Sequence, residues 1–318
     1  MKIQIVTPVV PNTITGNLTT ATRYERILQQ LGHDVAVAPT YRGAPFDALI
    51  ALHARRSFRA IESFASRYPD RPLIVVLTGT DLYRDIRTDA QAQQALELAT
   101  LLVVLQRMGV AELPEHLHGK TRVIYQSAPT LRAAVARPRA SFRVCVVGHL
   151  RPEKDPFLTA LAARRLPASS RIRVLHAGAA LTATMEQRAR TENDQNPRYR
   201  WLGGLPYART RRLIASSHLL SITSRMEGSS NVLGEALAQR SPTPVLATQI
   251  SGLIGTLGED YPGYFPVGDV RALTILLQQA EGYARLYAAL QAHCARAASL
   301  VAPERERDAW ADLLAELV

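Results

Sequence analysis

Short apolar runs rich in β-branched residues alternate along the chain with amphipathic segments of helical length. This alternation is typical of βαβ units, in which helices cover parallel strands. A first series of predicted strands covers Lys2–Pro8, Asp34–Pro39, Ala48–His53, Leu73–Thr78, Leu101–Gln106 and Arg122–Gln126. A second series covers Phe142–Val147, Ile172–Ala177, Tyr199–Leu202, Leu219–Thr223 and Thr243–Ala247. The pattern therefore predicts an α/β protein with two Rossmann-like parts.

A proline-containing stretch, Pro129–Arg139, separates the two series and is predicted to be a linker. We expect a first domain over residues 1–130 and a second over residues 131–302, facing each other across a cleft. Residues 270–317 have a helical pattern that breaks at Pro303, and we expect residues 303–318 to return to the first domain. Ligands bind at the carboxyl ends of strands in open parallel sheets, so the candidate residues are sought there.

The chain has 318 residues, of which 47% are hydrophobic, enough for a sizeable core. No stretch reaches the ~18 apolar residues of a membrane span, and Met1 leads directly into a strand without the pattern of a signal peptide. We expect a cytoplasmic protein without integral membrane association. The two cysteines cannot form a disulfide framework, and Cys145 lies in an apolar run that predicts a buried, inert thiol.

The net charge of +11 suggests anionic partners. However, 35 of the 38 basic residues are arginine, a bias that a GC-rich genome would produce, and they are scattered as singles and pairs. Nucleic-acid binding needs basic residues concentrated along one surface, so it is not expected. Small anionic substrates remain the favoured partners, and the pattern does not indicate an oligomeric state.

The segment from Glu227 to Leu237 follows a predicted strand and leads into a helix near Asn231. The start of a helix presents unbonded backbone N–H groups, which suit a phosphate or diphosphate. Glu235 lies one turn into the helix and would accept hydrogen bonds from a ribose, and Glu227 would do the same for a sugar. The alternative is an ordinary connection in which Ser230 caps the helix and Glu235 is in solvent.

A second candidate loop, Gly148–Pro156, follows the strand that ends at Val147. Its glycine permits close approach of a ligand, and Arg151 and Lys154 would neutralise a diphosphate as its bond breaks. Lys154 is one of only three lysines, so the arginine bias does not explain it. The alternative is a basic surface loop.

These two stretches together resemble the family 4 nucleotide-sugar glycosyltransferases. Gly148–Lys154 resembles a loop of that family that begins with glycine and ends with glutamate and lysine. Glu227 and Glu235, with seven residues between them, resemble its pair of glutamates. The resemblance implies the GT-B fold. It also implies a donor site: Gly148, Lys154 and the backbone of Ser229, Ser230, Asn231 and Val232 for the diphosphate, Glu227 for the sugar, Glu235 for the ribose, and Gly203 to Leu205 for the base. His149 replaces the arginine usual in that family, and Arg151 would take over its cationic role.

Polar clusters also follow strands of the first series, where we expect the acceptor site. They comprise Gly16, Asn17, Thr20 and Arg23; His53, Arg55 and Arg56; Thr78, Thr80 and Asp81; and Tyr125, Gln126 and Ser127. The Gly16-Asn17 helix start is a further candidate anion site.

Four stretches, Leu52–Ser57, Leu77–Asp85, Val123–Ala128 and Val147–Pro156, resemble the selenosugar synthases of selenoneine biosynthesis, an offshoot of family 4. In that group His149 is an ordinary trait. The resemblance implies that selenophosphate and a UDP-sugar, with UDP-N-acetylglucosamine as the expected donor, give a 1-selenosugar, UDP and phosphate.

A selenophosphate acceptor is already anionic, so it needs positioning and charge neutralisation more than deprotonation. Arg23, Arg55 and Arg56 would supply the positive charge. His53 and Asp81 are candidates for orienting the nucleophile, or for base work on a hydroxyl; the alternatives are a satisfied strand-end histidine and a helix-capping aspartate.

Arg151 and Lys154 would stabilise the departing UDP, and no cofactor or metal is expected because no residue cluster has metal-ligand spacing. Two other functions stay open: a family 4 enzyme with a hydroxyl or lipid acceptor, and a non-catalytic module that binds anions or nucleic acid.

Overall fold

A computed structural model of the chain describes residues 1–8, 16–131 and 135–317. The chain divides into two compact units: the first comprises Met1–Ser127, Glu227–Ser229 and Pro303–Val318, and the second comprises Ala128–Met226 and Ser230–Ala302. The second unit thus begins at Ala128 rather than at residue 131, and a three-residue segment groups with the first unit. Part of the predicted linker, residues 132–134, lies outside the described residues.

The first unit contains a parallel sheet of six strands in the order β2-β1-β3-β4-β5-β6. The strands are β1 (Lys2–Val6), β2 (Asp34–Ala38), β3 (Ala48–Leu52), β4 (Leu73–Leu77), β5 (Leu101–Val104) and β6 (Thr121–Val123). In β1, which lies between β2 and β3, Ile3 pairs with Val35 on one side and Ala48 on the other. Every residue of β3 and β4 is buried, as expected for strands covered by helices on both faces.

Helices α1 (Gly16–Gln30), α2 (Phe58–Arg67), α3 (Ile86–Thr88), α4 (Ala90–Leu98) and α12 (Pro303–Ala315) belong to the first unit. The last of them packs on the first: the ring of Trp310, fully buried, meets the edge of Tyr24 with 4.7 Å between centroids. The carboxyl-terminal helix is therefore part of the core of this unit.

The second unit contains another parallel six-stranded sheet, in the order β12-β11-β10-β7-β8-β9. Its strands are β7 (Phe142–Val147), β8 (Ile172–Ala177), β9 (Tyr199–Trp201), β10 (Leu219–Ile222), β11 (Val245–Thr248) and β12 (Tyr264–Phe265). Its helices are α5 (Leu158–Arg164), α6 (Ala183–Gln195), α7 (Tyr207–Ala215), α8 (Asn231–Leu237), α9 (Ser251–Leu257), α10 (Val270–Gly282) and α11 (Ala284–Ala297).

All eleven predicted strands are present, and the prediction of an α/β fold with two parallel sheets is confirmed. Most predicted strands ran one to three residues too far at their carboxyl ends. His53 and Thr223, for example, were placed in strands but lie just beyond β3 and β10, where they begin loops. The two-residue strand β12 was missed, because it is too short to show a periodic pattern.

The predicted carboxyl-terminal helical region has a second break, at Tyr283, in addition to the one before Pro303. Among the described helices, none is long and apolar enough to cross a membrane. Cys145 is buried in the core of the second unit as predicted, and burial raises the pKa of its thiol to about 12.

Candidate active site

The connection between β10 and α8 combines both interpretations of its sequence. Ser230 caps the helix, with its Oγ accepting a hydrogen bond from the N–H of Leu233 at 3.4 Å. Glu235, however, is not in solvent: only 8% of it is exposed. The interpretation of Glu235 as a solvated residue is therefore wrong, and its carboxylate is held inside the protein one turn from the helix start.

The second candidate loop, Gly148–Pro156, carries Arg151 and Lys154 and is called the cationic loop below. It begins as an extension of β7 along β8. The N–H of Gly148 donates to Ala177 O and that of Leu150 to Ala179 O, both at 2.9 Å. A single short turn, Pro152–Lys154, follows, and the chain then reverses at Asp155, whose φ of +41° lies in the left-handed region. Lys154 is thereby folded back over Gly148, 3.9 Å from where a Cβ of that glycine would stand.

A buried histidine fixes the carbonyl group of Gly148. His176 is fully buried, which lowers the pKa of its imidazole to about 4 and keeps it neutral. Its Nδ1 lies 2.9 Å from the hydroxyl of Tyr199 and its Nε2 lies 3.3 Å from Gly148 O. Since a carbonyl only accepts, Nε2 carries the proton and Nδ1 accepts from the tyrosine.

Gly178 makes room for the same carbonyl. A Cβ at position 178 would lie 1.8 Å from Gly148 O, so only glycine fits beside it. Neither Gly178 nor His176 was predicted from the sequence. The one signal in the sequence is the position of Gly178 directly after β8, at a strand end where ligands are expected.

Thr223 holds the loop from the other side. Its hydroxyl donates to Lys154 O at 2.8 Å and to Asp155 O at 2.9 Å. The N–H of Arg225 donates to Glu153 O at 2.8 Å, and its guanidinium pairs with Asp155 at 2.8 Å. These hydrogen bonds join the cationic loop to the segment between β10 and α8. The sequence assigned residues of the loop and of this connection to one donor site.

The predicted base-binding stretch adjoins this loop. Gly203 has a φ of +67° and its carbonyl accepts a hydrogen bond from the N–H of Gly178 at 2.8 Å. Arg151 is exposed, and the other predicted donor residues besides Ser230 and Glu235 are half-buried: Gly148, His149, Lys154, Gly203, Leu205, Glu227, Ser229, Asn231 and Val232. The donor candidates of the second unit therefore collect at the carboxyl ends of β7, β9 and β10.

In the first unit, His53 follows β3 in a strained conformation, with a φ of +74° that few residues other than glycine adopt. Its Nδ1 accepts a hydrogen bond from the N–H of Arg56 at 3.3 Å, so the proton is on Nε2, which lies 2.9 Å from Thr80 Oγ1. Burial, which leaves 2% of the residue exposed, lowers the pKa of the ring. The histidine is the satisfied strand-end residue that the sequence left open as an alternative.

Asp81 is fully buried and uses both carboxylate oxygens on backbone N–H groups. It accepts from Ala54 at 3.1 Å, from Thr78 at 3.0 Å and from Gly79 at 2.7 Å. It does not cap a helix by itself but starts a π-helical turn, Asp81–Asp85, a feature frequent at functional sites. Asp81 therefore joins the loop after β3 to the loop after β4.

The three candidate arginines of the first unit differ in their environments. The Arg23 Nε lies 3.0 Å from the Glu306 carboxylate, which also accepts from the N–H of Ser127 at 2.8 Å, and the side chains of Arg23 and Glu306 are both buried.

The other two candidate arginines are exposed. Arg55 pairs with Asp89 at 2.6 Å. Arg56 is exposed, close enough to His53 to lower the pKa of its ring. Arg23 thus serves an internal ion pair to α12, and Arg56 is the better placed to meet a ligand.

The remaining acceptor candidates lie at the start of α1 and just beyond β6. Gln126 donates to Thr20 Oγ1 at 2.8 Å, and Thr20 donates to Gly16 O at 2.9 Å, so these two regions are joined. Asn17 and Tyr125 are half-buried.

A close glycine contact adds another segment to the first unit. Glu227–Ser229 belongs to that unit, and a Cβ on Gly228 would come 2.4 Å from Thr78 O. A Cβ on Gly79 would lie 3.3 Å from the nitrogen of Gly228. The segment that carries Glu227 therefore packs on the loop that carries Thr78, Thr80 and Asp81. Among the residues that the structure describes, no group of three or more His, Cys, Asp or Glu side chains is placed to hold a metal ion.

Comparison with known proteins gives one family match: residues 127–284 match the family Glycosyl transferases group 1. No curated protein matches the sequence. Among solved structures, HepE of Anabaena, in complex with UDP and glucose, is 17% identical with a TM-score of 0.77, over 100% of both chains. Sucrose-phosphate synthase of Thermosynechococcus elongatus is 14% identical, with a TM-score of 0.79, over 99% of this chain and 98% of that one.

A UDP-forming trehalose-phosphate synthase of Burkholderia vietnamiensis is 13% identical with a TM-score of 0.70, over 95% of this chain and 79% of its own. At such identities these likenesses show the fold, and they confirm the prediction of a GT-B architecture.

Proposed function

We propose that the protein, whose residues 127–284 match the group 1 glycosyl transferases, transfers a sugar from a UDP-sugar to selenophosphate. The bond between the anomeric carbon and the UDP oxygen breaks, and a carbon–selenium bond forms. Water then cleaves the selenium–phosphorus bond, so the products are a 1-selenosugar, UDP and phosphate. The proposed donor is UDP-N-acetylglucosamine.

The donor would bind at the carboxyl edge of the second sheet. Lys154 and Arg151 would neutralise the diphosphate as it leaves, with no metal required. The N–H groups at the start of α8 would add to them, while Glu235 holds the ribose and Glu227 the sugar. In support, the Lys154 loop and the approach to α8 are joined by hydrogen bonds, and HepE, which shares the fold, has been solved with UDP and glucose.

One observation carries the choice of acceptor: both candidate bases are already occupied. The Nδ1 of His53 accepts a backbone N–H and its Nε2 is a donor, and Asp81 spends both oxygens on backbone N–H groups. A hydroxyl acceptor has a pKa far above 7 and needs a base to take its proton. An anionic selenium nucleophile does not, so the arrangement favours selenophosphate.

The same hydrogen bonds give Thr80 a role. Its oxygen accepts the Nε2 proton of His53, which leaves its own hydroxyl hydrogen to be donated elsewhere. Thr80 is half-buried beyond the end of β4, and Arg56 is an exposed cation near the same histidine. We assign Thr80 and Arg56 to the phosphate oxygens of the acceptor, and His53 to the positioning of Thr80.

Mass spectrometry of products formed from UDP-N-acetylglucosamine, with and without selenophosphate, tests the proposal. We expect UDP and a selenium-containing sugar only when selenophosphate is present, and the same yield in EDTA. Release of UDP that is indifferent to selenophosphate would refute the choice of acceptor. Transfer to an added alcohol would instead identify a hydroxyl-directed family 4 enzyme, and EDTA inhibition reversed by Mg²⁺ or Mn²⁺ would refute the metal-free mechanism.

A further inference from the structure

Thr223 lies directly after β10 and is 3% exposed, too deep to touch a substrate. We propose that it is a positioning residue for the diphosphate site, which aims Lys154 by holding the two carbonyl groups on either side of the reversal at Asp155. This inference rests on the proposed function, since it takes a nucleoside diphosphate as the ligand of Lys154.

The geometry at Thr223 is that of one hydroxyl hydrogen shared between two acceptors, Lys154 O at 2.8 Å and Asp155 O at 2.9 Å. Two successive carbonyls point to the same side because Asp155 is left-handed, with a φ of +41°. A residue other than glycine has a conformational cost in that region, although a smaller one for aspartate than for most residues, so an outside hydrogen bond helps to hold the turn. The buried hydroxyl supplies it.

Arg225 contacts the same turn but provides weaker support. Its guanidinium pairs with Asp155 at 2.8 Å, yet 57% of the arginine side chain is exposed, and ion pairs in solvent contribute little. Its backbone bond to Glu153 O does not depend on the side chain. Among these contacts, the hydroxyl of Thr223 is therefore the buried side-chain group that a substitution can remove.

Removal of that hydroxyl should weaken the binding of the diphosphate and leave the binding of the nucleoside unchanged. Lys154 sits on the supported turn, whereas the predicted base-binding stretch at Gly203 is held by the N–H of Gly178. Without Thr223 the turn relaxes and Lys154 no longer reaches its position over Gly148. The contacts to uridine stay intact.

The test compares wild type with T223V, T223A and T223S. Affinity for UDP is measured by isothermal titration calorimetry and affinity for uridine by ligand-detected NMR. We expect T223V and T223A to bind UDP about tenfold more weakly and uridine unchanged, and T223S to restore UDP binding. T159V is the matched control, since Thr159 is a buried threonine of the second unit whose hydroxyl bonds the Ser221 hydroxyl at 2.9 Å and not a carbonyl of the loop.

A double-mutant comparison separates positioning from general damage. In a K154M background, T223A should cause no further loss of UDP affinity, because the cation that it positions is already gone. Unchanged UDP affinity in T223A, equal losses for UDP and uridine, or a full additional loss in K154M would each overturn the inference. If T223V does not fold, T223A against T223S decides.

Failure of the inference and failure of the proposed function give different results. A wild-type protein that binds no UDP contradicts both. UDP binding that depends on Thr223, together with no selenosugar among the products, refutes only the acceptor. Selenosugar formation with Thr223 variants that bind UDP normally refutes only the positioning role.

Discussion

The cationic loop of the second unit and the loops after β3 and β4 in the first unit are stabilised in opposite ways. In the cationic loop, the Thr223 hydroxyl, the His176 ring and the backbone N–H of Arg225 hold backbone carbonyl groups. In the first unit the titratable side chains themselves hold the loops: Asp81 binds three backbone N–H groups and His53 binds two neighbours.

This difference identifies polar residues that act as supports of the fold. A side chain whose hydrogen bonds are made within the fold is a support, even at a strand end where ligands are expected. By this criterion the first unit uses its histidine, its aspartate and Arg23 as supports. In the same unit Arg56 is exposed and Thr80 is half-buried.

The largest effect is expected for G178A. The new Cβ would stand 1.8 Å from Gly148 O, and neither backbone can yield without moving the cationic loop. We expect about 3 kcal/mol of lost stability from overpacking and about a hundredfold weaker binding of UDP from misplaced cations. Calorimetric unfolding and titration with UDP measure these two quantities.

G282A is the matched control for this substitution, because nothing lies within 4 Å of its added Cβ. A G178A protein that binds UDP like wild type would show that the anchoring of Gly148 does not govern the cationic loop.

D81N tests the opposite mode of support in the first unit. The amide would turn an N–H towards backbone N–H groups that now donate to the carboxylate, so we expect a loss of about 2 to 3 kcal/mol in the free energy of unfolding. Denaturant titration measures the loss, and D47N is the control, since Asp47 is exposed and accepts from only one backbone N–H, that of Lys2 at 2.6 Å.

An unchanged stability in D81N, combined with a large loss of transfer activity, would contradict the supporting role. It would return Asp81 to the position of a general base.

The smallest effect concerns the pH dependence of stability, which His176 of the second unit should influence. The folded pKa of His176, about 4, lies below its unfolded value of about 6.5, so the unfolded chain binds more protons between these values. Its contribution to stability is complete above pH 6.5 and is lost as the pH falls. From pH 7 to pH 5, wild type should lose about 2 kcal/mol more unfolding free energy than H176Q, which retains a donor for Gly148 O.

H116Q, at an exposed histidine, should keep the wild-type slope in the same denaturant titrations. Parallel curves for wild type and H176Q would mean that His176 is not held neutral. His53, whose pKa is also lowered, should shift stability in the same direction.

The sheets were predictable because buried parallel strands need continuous apolar runs, which a local pattern shows. The strand ends were less predictable, because His53 and Thr223 are acceptable in a strand and leave it only through contacts distant in sequence. Thr223 bonds residues 68 and 69 positions earlier, and Arg23 pairs with a glutamate 283 positions later. No local pattern contains those partners.

The sequence by itself determined the α/β class, two parallel sheets and the strand ends where polar residues gather, since apolar periodicity and parallel connections restrict each of these. Tertiary structure alone decided which of the gathered residues are supports of the fold. The physical reason is that a buried group whose hydrogen bonds are made within the fold has little capacity left for a ligand. For Asp81 and Arg23 the partners are part of the fold, brought near only when the first unit is assembled.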